Sequence, residues 1–152
     1  MNRKISVRTA VSRLLVFSAL FLAATPWVCA QSSRAELVFA IKSAAKSHDD
    51  SALEECFNFD GTDPDLATAI RRTIDQITTW SNPVVFTSER NTTEPLEIQR
   101  NGKTLVLNGD WSFQIHIHRS PPPSKGYVFP AGRTASGAYR VLLTVEAKNS
   151  VR

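Results

Sequence analysis

The first apolar residues after position 33 recur at helical spacing. Ser33 to Glu36 has the form of a capping box, in which a serine side chain and a glutamate satisfy backbone N–H groups where a helix begins. The apolar positions that follow share one helical face: Leu37, Ile41, Ala44 and Ala45. The pattern predicts a helix from about Arg34 to His48.

Two further helix starts follow in the sequence. Ser51-Ala52-Leu53-Glu54 repeats the capping pattern and predicts a short helix that ends near Asn58. Asp63-Pro64-Asp65 supplies an N-cap acceptor, a proline in the first turn and an acid at the positive end of the helix dipole. The third helix would bury a stripe of apolar residues: Leu66, Ile70, Ile74 and Ile77.

Apolar and polar residues alternate beyond Pro83, which predicts strands, and Asn101-Gly102 has the chemistry of a tight hairpin turn. The predicted strands cover residues 84–88, 96–99, 104–107, 111–119, 127–130 and 139–145. Helices followed by an antiparallel meander are typical of the α+β class. We therefore expect the helices to pack on one face of a curved sheet of about four to six strands.

Residues 1–30 have the pattern of a secretory signal peptide. A basic segment precedes an apolar run from Leu14 to Ala24, and Val28-Cys29-Ala30 provides a small-residue cleavage site. The run is shorter than the roughly 20 residues that a membrane-spanning helix needs. The sequence thus predicts cleavage after Ala30 and a secreted or periplasmic protein, with residues 31–152 forming a single domain without a membrane anchor.

Charge and cysteine content change once the signal is removed. The full chain has 18 basic and 14 acidic residues, and all four charges within residues 1–30 are basic, so the remainder is formally neutral. The composition therefore gives no reason to expect a nucleic acid partner. Cys56 would remain without a second cysteine to pair with, and its apolar neighbours Leu53 and Phe57 predict a buried, unreactive thiol.

The segment Ala40–Gly61, AIKSAAKSHDDSALEECFNFDG, resembles the opening of NTF2-like domains. Its likeness lies in a helix, an acidic break and a short helix that ends in Phe before an Asp-Gly pair. The resemblance implies a conical α+β fold with a pocket between helices and sheet. Members of that superfamily use the pocket for isomerase or dehydratase chemistry or for small-molecule binding, and others serve in protein association.

NTF2-like domains also often pair through their sheets, so the resemblance implies a possible homodimer. Val106 and Leu142 are apolar on faces of their predicted strands that are otherwise polar. We expect these two side chains to contribute to such a contact.

His116-Ile117-His118 is the strongest candidate for chemistry, because residues two apart on a strand project from the same face. Such a pair could bind a metal if a third ligand, for example His48 or a carboxylate, came near. The alternation instead predicts that both histidines lie on the wetter face, opposite an apolar face formed by Trp111, Phe113, Ile115 and Ile117. We predict no metal and no cofactor, and we retain His116, His118 and His48 as candidate binding residues.

Two other motifs have structural explanations. Asp60, Asp63 and Asp65 lack the spacing of a calcium-binding loop, and helix capping accounts for the last two. Asn91-Thr92-Thr93 is a glycosylation acceptor sequence, which matters only if the host glycosylates exported proteins.

These observations favour a non-catalytic binding or interaction domain whose partner is an unknown protein or small-molecule ligand. The alternative is a small-molecule isomerase or lyase that uses a His or Asp base in the conical pocket. An open pocket with at least two converging ionisable side chains would favour the enzyme, whereas a solid core between helices and sheet would argue against it.

Overall fold

The computed structural model describes residues 31–90, 92–121 and 125–147. In this part of the chain, three helices precede seven strands: α1 (Arg34–Ser47), α2 (Asp50–Glu54), α3 (Pro64–Thr78), β1 (Pro83–Glu89), β2 (Glu97–Arg100), β3 (Lys103–Leu107), β4 (Asp110–Arg119), β5 (Gly126–Arg133), β6 (Tyr139–Val141) and β7 (Thr144–Glu146). The predicted α+β class is confirmed. The predicted signal peptide and the glycosylation acceptor Asn91 lie outside the described residues. None of the helices in the described ranges is long and apolar enough to cross a membrane.

The first and third helices begin as their sequences predict. The Ser33 hydroxyl accepts the Glu36 N–H at 3.2 Å, and the Asp63 carboxylate accepts the N–H groups of Asp65 and Leu66 at 2.9 and 3.3 Å. Each cap satisfies a donor that has no partner within its helix.

The second helix starts and ends earlier than predicted. Its cap is the Asp49 carboxylate, which accepts the Ala52 N–H at 2.9 Å, so the predicted cap Ser51 is wrong. The helix ends at Glu54, and the backbone groups of Cys56 and Asn58 bond to Val141 of β6 instead of continuing the helix. The Asn58 N–H donates to the Val141 carbonyl at 2.9 Å, which draws this segment into an extended path.

The Glu36 carboxylate accepts two hydrogen bonds from Ser32 at the start of α1. The Ser32 backbone N–H lies at 2.7 Å and its hydroxyl at 2.9 Å from the same carboxylate oxygen. These bonds, the hydroxyl first, stabilise the ionised form and lower the pKa of Glu36 below its ordinary value of 4.5.

A Glu36→Gln variant is expected to lose stability only where the native carboxylate is ionised. Because folding lowers this pKa, its contribution is complete above pH 4.5 and is lost as the pH falls through the lower folded value. Thermal unfolding followed by circular dichroism should therefore show a difference between wild type and Glu36→Gln at neutral pH that disappears in acid. A difference that persisted unchanged in acid would contradict this account.

The strands form two antiparallel sheets, one of four strands in the order β1-β4-β5-β6 and one of three in the order β2-β3-β7. This differs from the predicted meander, because the β2–β3 hairpin leaves the main sheet and β1 pairs directly with β4 from Pro83↔Arg119 to Glu89↔Phe113. The predicted last strand is also divided between the sheets. Leu142 and Leu143 are both buried, which interrupts the alternation of faces and carries the chain from β6 in one sheet to β7 in the other.

The core lies between the helices and the inner face of the four-stranded sheet. It combines apolar residues of α1, α2, α3 and the strands, which include Leu37, Ile41, Leu53, Ile74, Ile77, Val85, Phe113, Ile115, Ile117, Phe129 and Val141. Burial of Phe113, Ile115 and Ile117 confirms the predicted inner face of β4. The predicted buried thiol is confirmed as well, since Cys56 is fully buried and its Sγ donates to the Ala52 carbonyl at 3.4 Å.

Two predicted positions are wrong. The register of β4 shifts between Trp111 and Phe113, so Trp111 pairs with Gly132 and lies outside the core, with the Arg90 guanidinium 4.5 Å from its ring centre. Leu142 is only 1% exposed, so it cannot provide the surface contact for a second copy that we expected of it. Val106, the other expected contact residue, is half-buried.

Candidate functional site

The four-stranded sheet has a second face, directed away from the helices, that we call the outer sheet face. Phe86 pairs with His116 and His116 with Val128 across β1, β4 and β5, while residues of the opposite parity enter the core. The outer sheet face comprises Val84, Phe86, Ser88, Gln114, His116, His118, Gly126, Val128 and Pro130.

Apolar side chains remain exposed on this face. Val84, Phe86 and Val128 are 45%, 47% and 52% exposed, and they account for three of the five large exposed apolar residues of the described chain. The other two, Phe39 on α1 and Ile98 on β2, lie on separate elements. On β1, β4 and β5 the outer sheet face carries no Asp, Glu, Lys or Arg, whereas Arg140 of β6, which pairs with Gly132, has the same orientation at the edge of the sheet. Depletion of charge around exposed apolar groups is typical of the centre of a protein interface.

Three rings lie parallel at the middle of the outer sheet face. The Phe86 ring is 4.7 Å from that of His116 and 5.5 Å from that of His118, with interplanar angles of 7° and 17°. Gly126 lies opposite His118, and any side chain at this glycine would overlap the imidazole. The glycine therefore gives the His118 ring room against the strand, and the packed rings form a firm, half-exposed patch.

The polar atoms of the patch are only partly satisfied. His116 Nε2 lies 2.8 Å from the Ser88 hydroxyl, which itself donates to Gln114 Oε1 at 3.3 Å. These bonds join His116 and Gln114 through the Ser88 hydroxyl. His118 Nε2 is buried without a hydrogen-bond partner among the described residues.

The structure brings His116 and His118 together but places His48 elsewhere. His48 is the left-handed C-terminal cap of α1 with φ 58°, and its Nδ1 bonds to the Thr78 carbonyl at the end of α3. This hydrogen bond links the C-terminal end of α1 to that of α3. Within the described ranges, no group of three or more His, Cys, Asp or Glu side chains is placed to hold a metal ion, so the histidine pair has no third ligand there.

The space between the helices and the sheet is filled by the apolar core. The buried polar residues of the described chain are Gln31, Asn58 and Thr78, which include no histidine and no carboxylate. An open cavity of about 620 Å³ lies instead beside α2, at the edge of the fold.

Sequence reasoning identified the two histidines but missed their apolar neighbours. Val84, Val85 and Phe86 are three consecutive apolar residues, which is the signal of a strand with apolar side chains on both of its faces. Val128 and Gly126 belong to the site only through the pairing of β4 with β5.

No family model matches the chain, and no curated protein and no solved structure was found that matches it. The resemblance of residues 40–61 to NTF2-like domains therefore stays a prediction.

Proposed function

We propose that this protein is an exported, non-catalytic binding domain of NTF2-like architecture that associates with a protein partner through the outer sheet face. One observation carries the proposal: half-exposed apolar side chains surround a stack of three rings on β1, β4 and β5, whose outward residues carry no formal charge. The signal-like pattern of residues 1–30 supports export.

The rings make the face suitable for binding because they are already ordered. A side chain that is fixed before association loses little conformational entropy when a partner covers it. Phe86 is held against both imidazoles, and the Ser88 hydroxyl holds His116. Covering Val84, Phe86 and Val128 removes apolar surface from water, which is the main driving force of most protein association.

A second copy of the chain is the partner that this face fits best. Two copies that meet through β1, β4 and β5 bring no like charges together at the centre of the contact, and twofold dimers in which the same patch meets itself are the commonest oligomers. Two antiparallel sheets can also stack face to face through such side chains. The homodimer suggested by the resemblance would thus form through Phe86 and its neighbours rather than through Leu142.

Substitution of Phe86 by lysine tests the proposal. The mature chain should sediment as a dimer, and Phe86→Lys should weaken its association at least about tenfold, because the variant places an unpaired charge at the centre of the interface. The matched control is Phe39→Lys, since Phe39 is 66% exposed on α1, outside this face. Circular dichroism establishes that both variants fold.

Two results would overturn the proposal. A wild-type chain that stays monomeric at millimolar concentration would exclude the second copy as partner. Equal sedimentation of Phe86→Lys and Phe39→Lys would exclude the outer sheet face as the contact.

The isomerase or lyase alternative places a His or Asp base between the helices and the sheet, where the described chain has an apolar core. Ionisable side chains converge instead on the cavity beside α2.

A further inference from the structure

The open cavity beside α2, which we call the α2 cavity, has walls from four parts of the chain. They are α2, the segment that follows it, α3, and the β5–β6 turn with the start of β6. The segment after α2 is fixed to β6, because the Asn58 N–H donates to Val141 and the Val141 N–H donates to Cys56, both at 2.9 Å. The volume of about 620 Å³ lies within the range of small-molecule sites.

Charged groups of both signs line the α2 cavity without neutralising one another completely. Arg71 and Glu54 form an ion pair at 2.6 Å. Glu55 and Asp60 also line the cavity, yet their carboxylates take part in no ion pair or side-chain hydrogen bond with a described residue. Two carboxylates are therefore available to a ligand.

Neither of the two arginines that line the cavity forms an ion pair with these carboxylates. The Arg71 guanidinium is bound to Glu54 and lies 4.8 Å from the centre of the Phe59 ring. Arg140 Nη1 donates to Gln31 Oε1 at 2.9 Å, and Gln31 is buried. A guanidinium has five N–H donors, so Arg140 keeps most of its donors for another partner. Arg140 and the two free carboxylates thus line one cavity without pairing with one another.

We propose that the α2 cavity binds a small molecule that carries both an ammonium and a carboxylate group, as a free amino acid or a short peptide does. The ammonium binds to Glu55 and Asp60, and the carboxylate binds to Arg140. Charge-assisted hydrogen bonds of this kind are roughly twice as strong as neutral ones. The hydroxyl groups of Thr134 and Ser136, 2.8 Å apart on the opposite wall, provide further polar contacts.

Other ligand classes fit the α2 cavity less well. A sugar ring prefers an open aromatic face, but Phe57 is 4% exposed and Phe59 has the Arg71 guanidinium against its ring. A metal ion would need three or more suitable ligands, and no such group exists among the described residues. This site is separate from the outer sheet face, so the inference does not depend on self-association.

A titration with L-alanyl-L-alanine and its two capped forms tests the inference. Amide resonances of ¹⁵N-labelled mature protein should shift saturably with the dipeptide, with the shifts centred on residues 54–60 and 134–140. Acetylation of the amino group and amidation of the carboxylate should each weaken binding at least about tenfold, because each removes a charge-assisted contact. Equal binding of all three compounds, no saturation, or shifts centred elsewhere would overturn the inference.

Isosteric variants assign the two charges to their residues. The double variant Glu55→Gln, Asp60→Asn should bind the dipeptide no more tightly than the wild type binds the acetylated dipeptide. Acetylation of the dipeptide should then weaken its binding to the double variant no further. Likewise, Arg140→Gln should bind the dipeptide no more tightly than the wild type binds the amidated dipeptide, and amidation should weaken binding to this variant no further. Glu97→Gln on the exposed strand β2 is the matched control and should bind as wild type does.

Unchanged dipeptide binding by the carboxylate variant would also overturn the inference. Should Arg140→Gln unfold through loss of its bond to Gln31, the carboxylate variant alone still decides. A negative result in the dipeptide titration would not change the sedimentation result expected for Phe86→Lys. Ligand binding in the α2 cavity and self-association through the outer sheet face are therefore tested independently.

Discussion

Replacement of Phe113 by alanine is expected to lower the free energy of unfolding by about 3–5 kcal/mol. Phe113 is 1% exposed on the inner face of β4, with the Arg34 guanidinium 4.5 Å from its ring centre and the Tyr139 ring at 6.3 Å. Its truncation removes apolar burial and leaves a cavity that close-packed neighbours fill only in part. Urea unfolding followed by circular dichroism measures the loss.

The control for this prediction is Phe39→Ala. Phe39 is 66% exposed, so its truncation should change the stability by no more than about 0.5 kcal/mol. Similar losses from the two variants would contradict the placement of β4 against the helices.

A permanent positive charge at position 116 is expected to dissociate the proposed dimer. The His116 ring lies 4.7 Å from the Phe86 ring on the outer sheet face, and no carboxylate on β1, β4 or β5 shares that face with it. Glu89, at the end of β1, bonds instead to Arg34 of α1 at 2.6 Å. A facing copy brings the same face, so a lysine at position 116 would meet no carboxylate from the partner.

The expected weakening of self-association by His116→Lys is at least about tenfold, because a buried charge without a partner costs several kcal/mol. Sedimentation of the variant and the wild type at one pH measures it. The matched control His116→Gln adds no charge and should lose much less. Tighter association of His116→Lys would contradict a second copy as the partner, since it would require carboxylates opposite position 116.

The starts of α1 and α3 and the burial of Phe113, Ile115 and Ile117 could be predicted because their signals are local. Ser33 and Asp63 cap the helices whose first turns they begin, and the alternation along β4 shows which residues are buried. Such signals depend on a few neighbouring residues, and contacts with distant segments do not override them.

The pairing of distant segments could not be predicted. No residue near Phe86 in the sequence indicates that β1 pairs with β4 rather than with β2, the next strand along the chain. In the same way, no residue near His48 indicates its hydrogen bond to Thr78. The α2 cavity is a similar case, because Glu55 and Arg140 are 85 positions apart in the sequence. Sequence reasoning thus found the histidine pair but neither its surroundings nor the cavity.

The two ends of the described chain are joined, and this affects the order in which the protein can fold. Gln31 accepts the Tyr139 N–H at 2.8 Å, and β7 completes the small sheet only when Thr144–Glu146 reach β3. Neither closure can form until residues 139–146 have been synthesised, so a nascent chain completes this fold only late in translation.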